Sequence, residues 1–175
     1  LDLLSDDLMK QALSNALESA KNIENENAQA RALNHLGIYL PENLLQQALD
    51  VAVNIKNPNQ RMNAIIGIMA NLVSEERLQQ ARENLLNCAK SIHLEFKQAR
   101  AFVTISSHLS QEMFAEIEQI TDGFLDAFDK VSVYLALAQN SPPENRPTLI
   151  TKAWTGLHRI EDGYDRASMI ASLAP

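Results

Sequence analysis

Cysteine is nearly missing from this sequence: Cys88 is the only one. A single thiol excludes an intrachain disulfide framework and a multi-cysteine metal site, and it fits a reducing compartment such as the cytoplasm. Glycine is scarce, five in 175 residues with none clustered, which leaves no Gly-Lys-Ser/Thr loop to cradle a nucleotide phosphate. Aromatic residues make up 5% of the chain, too few for a sheet-rich core, which favours aromatic and β-branched side chains. There is no basic excess either. Fifteen Lys and Arg face 22 Asp and Glu, for a net charge of −7, so no nucleic-acid partner is expected, because phosphate affinity rests on clustered cations. The longest apolar run, Ala64 to Ala70 and on through Leu72 and Val73, is far too short to span a bilayer. The N-terminus shows no basic segment followed by an apolar stretch, so no signal peptide is expected. No membrane partner and no cofactor are expected, and the cytoplasm is the expected location.

What is present is helix-forming. The chain is 46% hydrophobic, enough for a continuous core, and Leu, Ala, Gln, Asn and Glu dominate. It also repeats itself. Gln29-Ala30-Arg31-Ala32 recurs as Gln98-Ala99-Arg100-Ala101, 69 residues later, with weaker copies beginning at Arg61, Lys130 and Arg166. Six residues before each copy stands an apolar anchor: Ile23, Ile55, Ile92, Phe124 and Ile160. The anchors are 32, 37, 32 and 36 residues apart, a mean near 34. Ten residues past the anchors come Leu33, Ile65, Phe102, Tyr134 and Ile170. Thirteen past them come Leu36, Ile68, Ile105, Leu137 and Leu173, and seven past them Ala30, Met62, Ala99, Val131 and Ala167. All twenty positions are apolar, where the composition alone would fill about nine, so the repeat is real.

Offsets of 7, 10 and 13 place these residues on one face of an α-helix. The preceding segments read the same way, for example Leu44, Leu45, Ala48, Leu49, Ala52 and Ile55. Each unit is therefore a helix pair. First helices are expected near 6–23, 42–56, 75–93, 110–123 and 144–160, and second helices near 27–39, 59–73, 95–109, 127–140 and 163–174. Pro41, Pro58, Pro142-Pro143 and Asp162-Gly163 punctuate the links. Phe96, Phe128 and Tyr164 share a turn column and are expected to wedge the turns. Ala20, Ala52 and Ala89 share a column where a small side chain admits a close neighbour. Residues 1–175 thus read as a single helical-repeat domain. The start at Leu1 and the stop at Leu173-Ala174-Pro175, without a polar closing helix, suggest a fragment of a longer protein, with further repeats or another domain beyond Pro175.

The unit from Ile23 through Gln29-Ala30, Ala32-Leu33 and Leu36-Gly37 to Leu40-Pro41 resembles a degenerate bacterial helical repeat. Such repeats often follow the nucleotide-switch domain of STAND-type NTPases, where they serve as sensor or scaffold regions. More broadly the chain is similar to tetratricopeptide and HEAT solenoids, with Leu33, Leu36, Gly37 and Leu40 echoing the tetratricopeptide opening. The resemblance implies an all-α, right-handed solenoid of about five antiparallel helix pairs that binds a protein or peptide. It brings no site residue with it.

Chemistry is hard to find. His35, His93, His108 and His158 form no i, i+4 pair and no His-Glu motif, so they read as surface or helix-end residues, and no metal is expected. Cys88 has no base in register and reads as an inert, partly buried thiol. Glu24, Glu26, Glu75, Glu76, Asp126 and Asp129 lie at turns or helix starts, where the helix dipole accounts for them. Trp154 shares the column of Leu17, Leu49 and Leu86 and is expected in the core. No catalytic residue is selected, and the chain is not expected to be an enzyme.

One polar feature stands out. At i, i+3 and i+7 on successive first helices lie Asn15, Glu18 and Asn22, then Gln47, Asp50 and Asn54, then Asn84, Asn87 and Ser91. The fourth and fifth units continue with Glu116, Gln119 and Gly123, and with Lys152, Thr155 and Arg159. Two readings stand. Amides both donate and accept, so the set could line a groove that pairs with the backbone of a bound peptide. Alternatively it is a solvated face.

Overall fold

The structure is a computed structural model, and it describes residues 6–171. Among the described residues there are ten α-helices and no strand. They are α1 (Asp6–Lys21), α2 (Glu26–Gly37), α3 (Glu42–Ala52), α4 (Pro58–Met69) and α5 (Glu75–Lys90), followed by α6 (Glu95–Ile105), α7 (Gln111–Asp122), α8 (Ala127–Gln139), α9 (Arg146–Leu157) and α10 (Gly163–Ala171). A short 3-10 turn, Ser106–His108, extends α6. Each falls within a few residues of the span expected from periodicity. Among the described residues no helix is long and apolar enough to cross a membrane.

The helix starts follow local chemistry. The Asn25 side chain accepts from the Ala28 N–H, Asn57 from those of Asn59 and Gln60, Asp126 from Asp129, and Asp162 from Tyr164 and Asp165. Each satisfies donors that the first helical turn leaves open. Pro58 occupies the first turn of α4, where its missing N–H costs nothing.

The chain divides into two compact units, 1–88 and 89–175, with the division falling inside α5. In the first unit, α2 packs chiefly on α4, and α1 and α3 flank them. In the second, α8 is the hub and touches α6, α7, α9 and α10. The apolar columns form the cores. All described members of the four anchor-related columns are buried except Ile23 and Leu36, which are half-buried, and Ala167 and Ile170, which are exposed. Leu173 lies outside the described residues. Ala20, Ala52 and Ala89 are buried. Thr121 takes their place in the fourth unit, fully buried, and its hydroxyl donates to the Ile117 carbonyl at 2.7 Å.

Two glycines set the tightest approach. A Cβ added at Gly67 would lie 2.5 Å from the Asn34 Cα, and one added at Gly37 would lie 2.6 Å from the Gly67 carbonyl carbon. No glycine among the described residues has a positive φ, so these two are needed for space rather than for backbone freedom. Asn34 locks the crossing by donating its amide to the Asn63 carbonyl at 2.7 Å, and Asn71 does so by donating to the Gly37 carbonyl at 3.2 Å.

The polar residue that opens the Gln-Ala-Arg-Ala echo has a structural task. Gln29 donates to the carbonyls of Ala20 and Lys21, Arg61 to those of Ile55 and Lys56, and Gln98 to those of Ala89 and Lys90. Lys130 and Arg166 bond to Asp122 and Ile160 in the same manner. Gln29, Gln98 and Lys130 thus satisfy carbonyls in the last turn of the preceding helix, whereas Arg61 and Arg166 hold those of the turn that follows it. Other links also recur with both partners 69 residues on. Glu26 accepts from the N–H groups of Lys56 and Asn57, and Glu95 accepts from that of Asp126. Asn71 reaches Gly37, and Asn140 reaches Ser106.

Two expectations about large side chains fail. Phe96 and Tyr164 are 51% and 83% exposed, and Phe128 is half-buried, so this column does not wedge the turns. The side chains stand on the solvent side of the first helical turn, and the Lys97 ammonium sits over the Phe96 ring. Trp154 is not in the core. It is 52% exposed and meets only the edge of His158, because nothing among the described residues covers that face of α9.

Candidate functional site

In the first unit, α1 and the residue after it carry Asn15, Glu18 and Asn22. α3 and the turn after it carry Gln47, Asp50 and Asn54, and α5 carries Asn84 and Asn87. All are exposed except Asn84, which is half-buried. Their side chains are less free than a waiting groove requires. Asn22 donates to the Glu18 carbonyl, Asn54 to that of Asp50, and Asn84 to that of Gln80, each bond closing within one helical turn. Such backbonding is an ordinary local option of a short amide on or just after a helix. Lys21 ties two columns together, through Glu18 at 2.6 Å and the Gln47 oxygen at 3.1 Å. Asp50 accepts from Gln46. Only Asn15 and Asn87 have no side-chain partner among the described residues. A helix carbonyl four residues back is within reach of each of these amides.

The second unit holds a different arrangement. The same columns there read Glu116, Gln119 and Gly123 on and after α7, and Lys152, Thr155 and Arg159 on and after α9. Glu116 pairs with Lys90, just as Gln47 pairs with Lys21. Lys152 ties α9 to α7 through Glu118 at 3.0 Å and Asp122 at 3.3 Å. Beside this tie lies an open groove of about 430 Å³. One wall is the turn after α7 and the start of α8, with Phe124, Leu125, Ala127, Lys130 and Tyr134. The other is the face of α9 formed by Thr151, Lys152, Thr155, Gly156 and Arg159. Phe124, Tyr134 and Gly156 are buried and make the floor, while Leu125 stands 94% exposed at the rim.

The electrostatics of the groove are organised around Asp122. The Tyr134 hydroxyl donates to its carboxylate, and Lys152 bonds it from α9. The Tyr134 bond and the Lys152 charge together hold Asp122 below the usual carboxylate range, against a smaller opposing effect of burial. Burial, then the Asp122 carboxylate, pushes Tyr134 well above the usual tyrosine range. Lys152 is raised: burial works against its charge, but Glu118 and Asp122 outweigh it. Lys130 is spent on the Asp122 carbonyl. Arg159 has no side-chain partner among the described residues.

No nucleophile, base and orienting group converge here, and no group of three or more metal-ligating side chains occurs among the described residues. Cys88 is buried, and burial raises its thiol pKa, partly offset by Arg61. His108 is half-buried and lowered by desolvation, while the other three histidines are exposed. The groove was not singled out from sequence, although Lys152 and Arg159 break the amide pattern of their columns with cations. No protein-family description, no curated protein and no solved structure matches the chain.

Proposed function

We propose that the chain is a non-catalytic module that binds a protein or peptide, built as a right-handed solenoid of about five antiparallel helix pairs repeating every 34 residues or so. The observation that carries this reading is the groove beside α9. It combines a buried aromatic floor, an exposed leucine and an unpartnered guanidinium, which together suit a chain segment rather than a reacting small molecule. The ten helices and the hydrogen bonds repeated 69 residues on support it. In the first unit Asn15, Glu18, Asn22, Gln47, Asp50, Asn54, Asn84 and Asn87 are the residues offered to the partner. A buried lone thiol and an acidic surface suit the cytoplasm. The test is selection of peptides from a random displayed library, followed by amide NMR mapping. Shifts confined to these residues and to the groove are expected. Selected peptides that map elsewhere, or none selected, would overturn the reading.

A second reading, a self-associating scaffold, is favoured by a specific feature. Ile150, Trp154, Tyr164 and Ile170 are exposed together on α9 and α10, although the columns of Trp154 and Ile170 are buried in earlier apolar members such as Leu17, Leu49, Leu33 and Ile65. Sedimentation over a range of concentrations separates the two. A scaffold gains mass with concentration and loses that gain in Ile150→Ser/Trp154→Ser, whereas a binding module stays monomeric.

A further inference from the structure

We infer that the groove between the start of α8 and α9 recognises an acidic peptide segment, with an aliphatic side chain set beside a carboxylate. This rests on the peptide-binding reading above and specifies its ligand. The argument is one of charge left over. The chain as a whole carries −7, yet the groove brings Lys130, Lys152 and Arg159 around a single carboxylate, Asp122. Asp122 is already engaged by Tyr134 and Lys152, and Glu118 takes up the rest of Lys152. Arg159 is left with a full guanidinium fork and no side-chain partner among the described residues. A planar fork of this kind matches a carboxylate with two parallel hydrogen bonds.

The rest of the groove says what accompanies the carboxylate. Leu125 is exposed and Phe124 and Ala127 line the groove beside it, so the wall facing α9 offers apolar contact next to Lys130. The hydroxyls of Thr151 and Thr155 donate to carbonyls four residues back, which leaves their oxygens free to accept backbone N–H groups. Gly156 lets α9 lie close on α8 under the groove: a Cβ there would come within 2.6 Å of a methyl of the buried Val131. An extended segment that places a leucine against Leu125 and a glutamate or aspartate against Arg159 satisfies each of these groups. A basic segment would meet three cations.

The experiment titrates the full chain with a blocked peptide alternating glutamate with leucine, and with the same peptide carrying glutamine for every glutamate. Amide shifts and calorimetry are the readouts. The acidic peptide is expected to shift Thr155, Gly156 and Leu125, to weaken as salt is raised, and to bind at least about tenfold less tightly to Arg159→Ala, which loses both hydrogen bonds of the fork. Arg159 is exposed and unpartnered, so this variant should fold normally, and Arg159→Lys should recover part of the affinity. Equal binding of the glutamine peptide, or an unchanged affinity in Arg159→Ala, overturns the acidic specificity while peptide binding itself stands. Binding of neither peptide overturns both.

Discussion

Replacing Gly67 by alanine adds a single methyl group to α4, and the consequence can be worked out from the crossing with α2. The new Cβ would lie 2.5 Å from the Asn34 Cα and 2.6 Å from its carbonyl oxygen, whereas ordinary contact begins near 3.4 Å. Both atoms are backbone, so no rotamer change relieves the clash, and the helices must part by about 1 Å, a cost of roughly 1–3 kcal/mol for overpacking. Parting them stretches the Asn34 to Asn63 and Asn71 to Gly37 hydrogen bonds, worth about 1 kcal/mol each. Against this, alanine gains about 1 kcal/mol in helix propensity over glycine. The net expectation is a loss of about 2–3 kcal/mol, read from urea unfolding followed by far-UV circular dichroism. Trp154 fluorescence, which reports only the second unit, gives an internal comparison. Gly163→Ala is the control. Its added Cβ meets nothing within 4 Å, so stability should hold or rise by up to about 1 kcal/mol. If Gly67→Ala is as stable as the parent, the close packing of α2 on α4 is not what requires glycine there, and the reasoning fails.

Four further outcomes are expected. Tyr134 is raised in the folded state by burial and by Asp122, so its contribution is whole below about pH 10, the ordinary tyrosine value, and is lost as pH climbs further. One of the three tyrosines should therefore ionise, by ultraviolet difference absorbance, only as the helical signal disappears, and Tyr134→Phe should abolish that late step. Gln98→Ala should cost about 1–2 kcal/mol by stranding the Ala89 and Lys90 carbonyls, and Gln98→Lys should retain most of the stability, since Lys130 reaches the equivalent Asp122 carbonyl, eight residues back, from the same column. Ile68→Ala and Ile105→Ala should each cost roughly 2–4 kcal/mol, and Leu36→Ala only about 1–2 kcal/mol because it is half-buried. Cys88 should react with a thiol reagent only as fast as the first unit opens, and prompt labelling of the native protein would contradict its burial.

The helices were legible in the sequence because burying one stripe of a helix imposes its period on the residues. Leu33, Ile65, Phe102 and Tyr134 announce themselves that way, and all four are buried. The echo led by Gln29 and Gln98 was equally visible, but its task was not. Whether such a side chain faces a ligand or turns back onto the preceding helix depends on the geometry of the intervening turn. Trp154 misled for a related reason. Column membership assigns a residue the neighbours of its equivalents, and the face of α9 lacks the cover that Leu17, Leu49 and Leu86 have. The groove was hidden because Lys130, Asp122 and Arg159 come from different helices and meet only once the turn after α7 is folded. The amide columns were placed on the surface by periodicity, but their backbonding depends on side-chain rotamers, which periodicity does not describe.

The bonds made by the residue that opens each echo close loops of only five to nine residues. The longer side-chain links, such as Asn71 to Gly37 and Ser132 to Met169, reach 34 and 37 residues. Neither unit needs its distant segments to find one another before stabilising contacts begin. Chains wired so locally pay little loop-closure entropy on the way to the folded state, and they fold on the order of microseconds to milliseconds. A lesion such as a lost glutamine at position 29 or 98 should accordingly speed the opening of its own neighbourhood and leave the nucleation of helices elsewhere in the chain at its former rate.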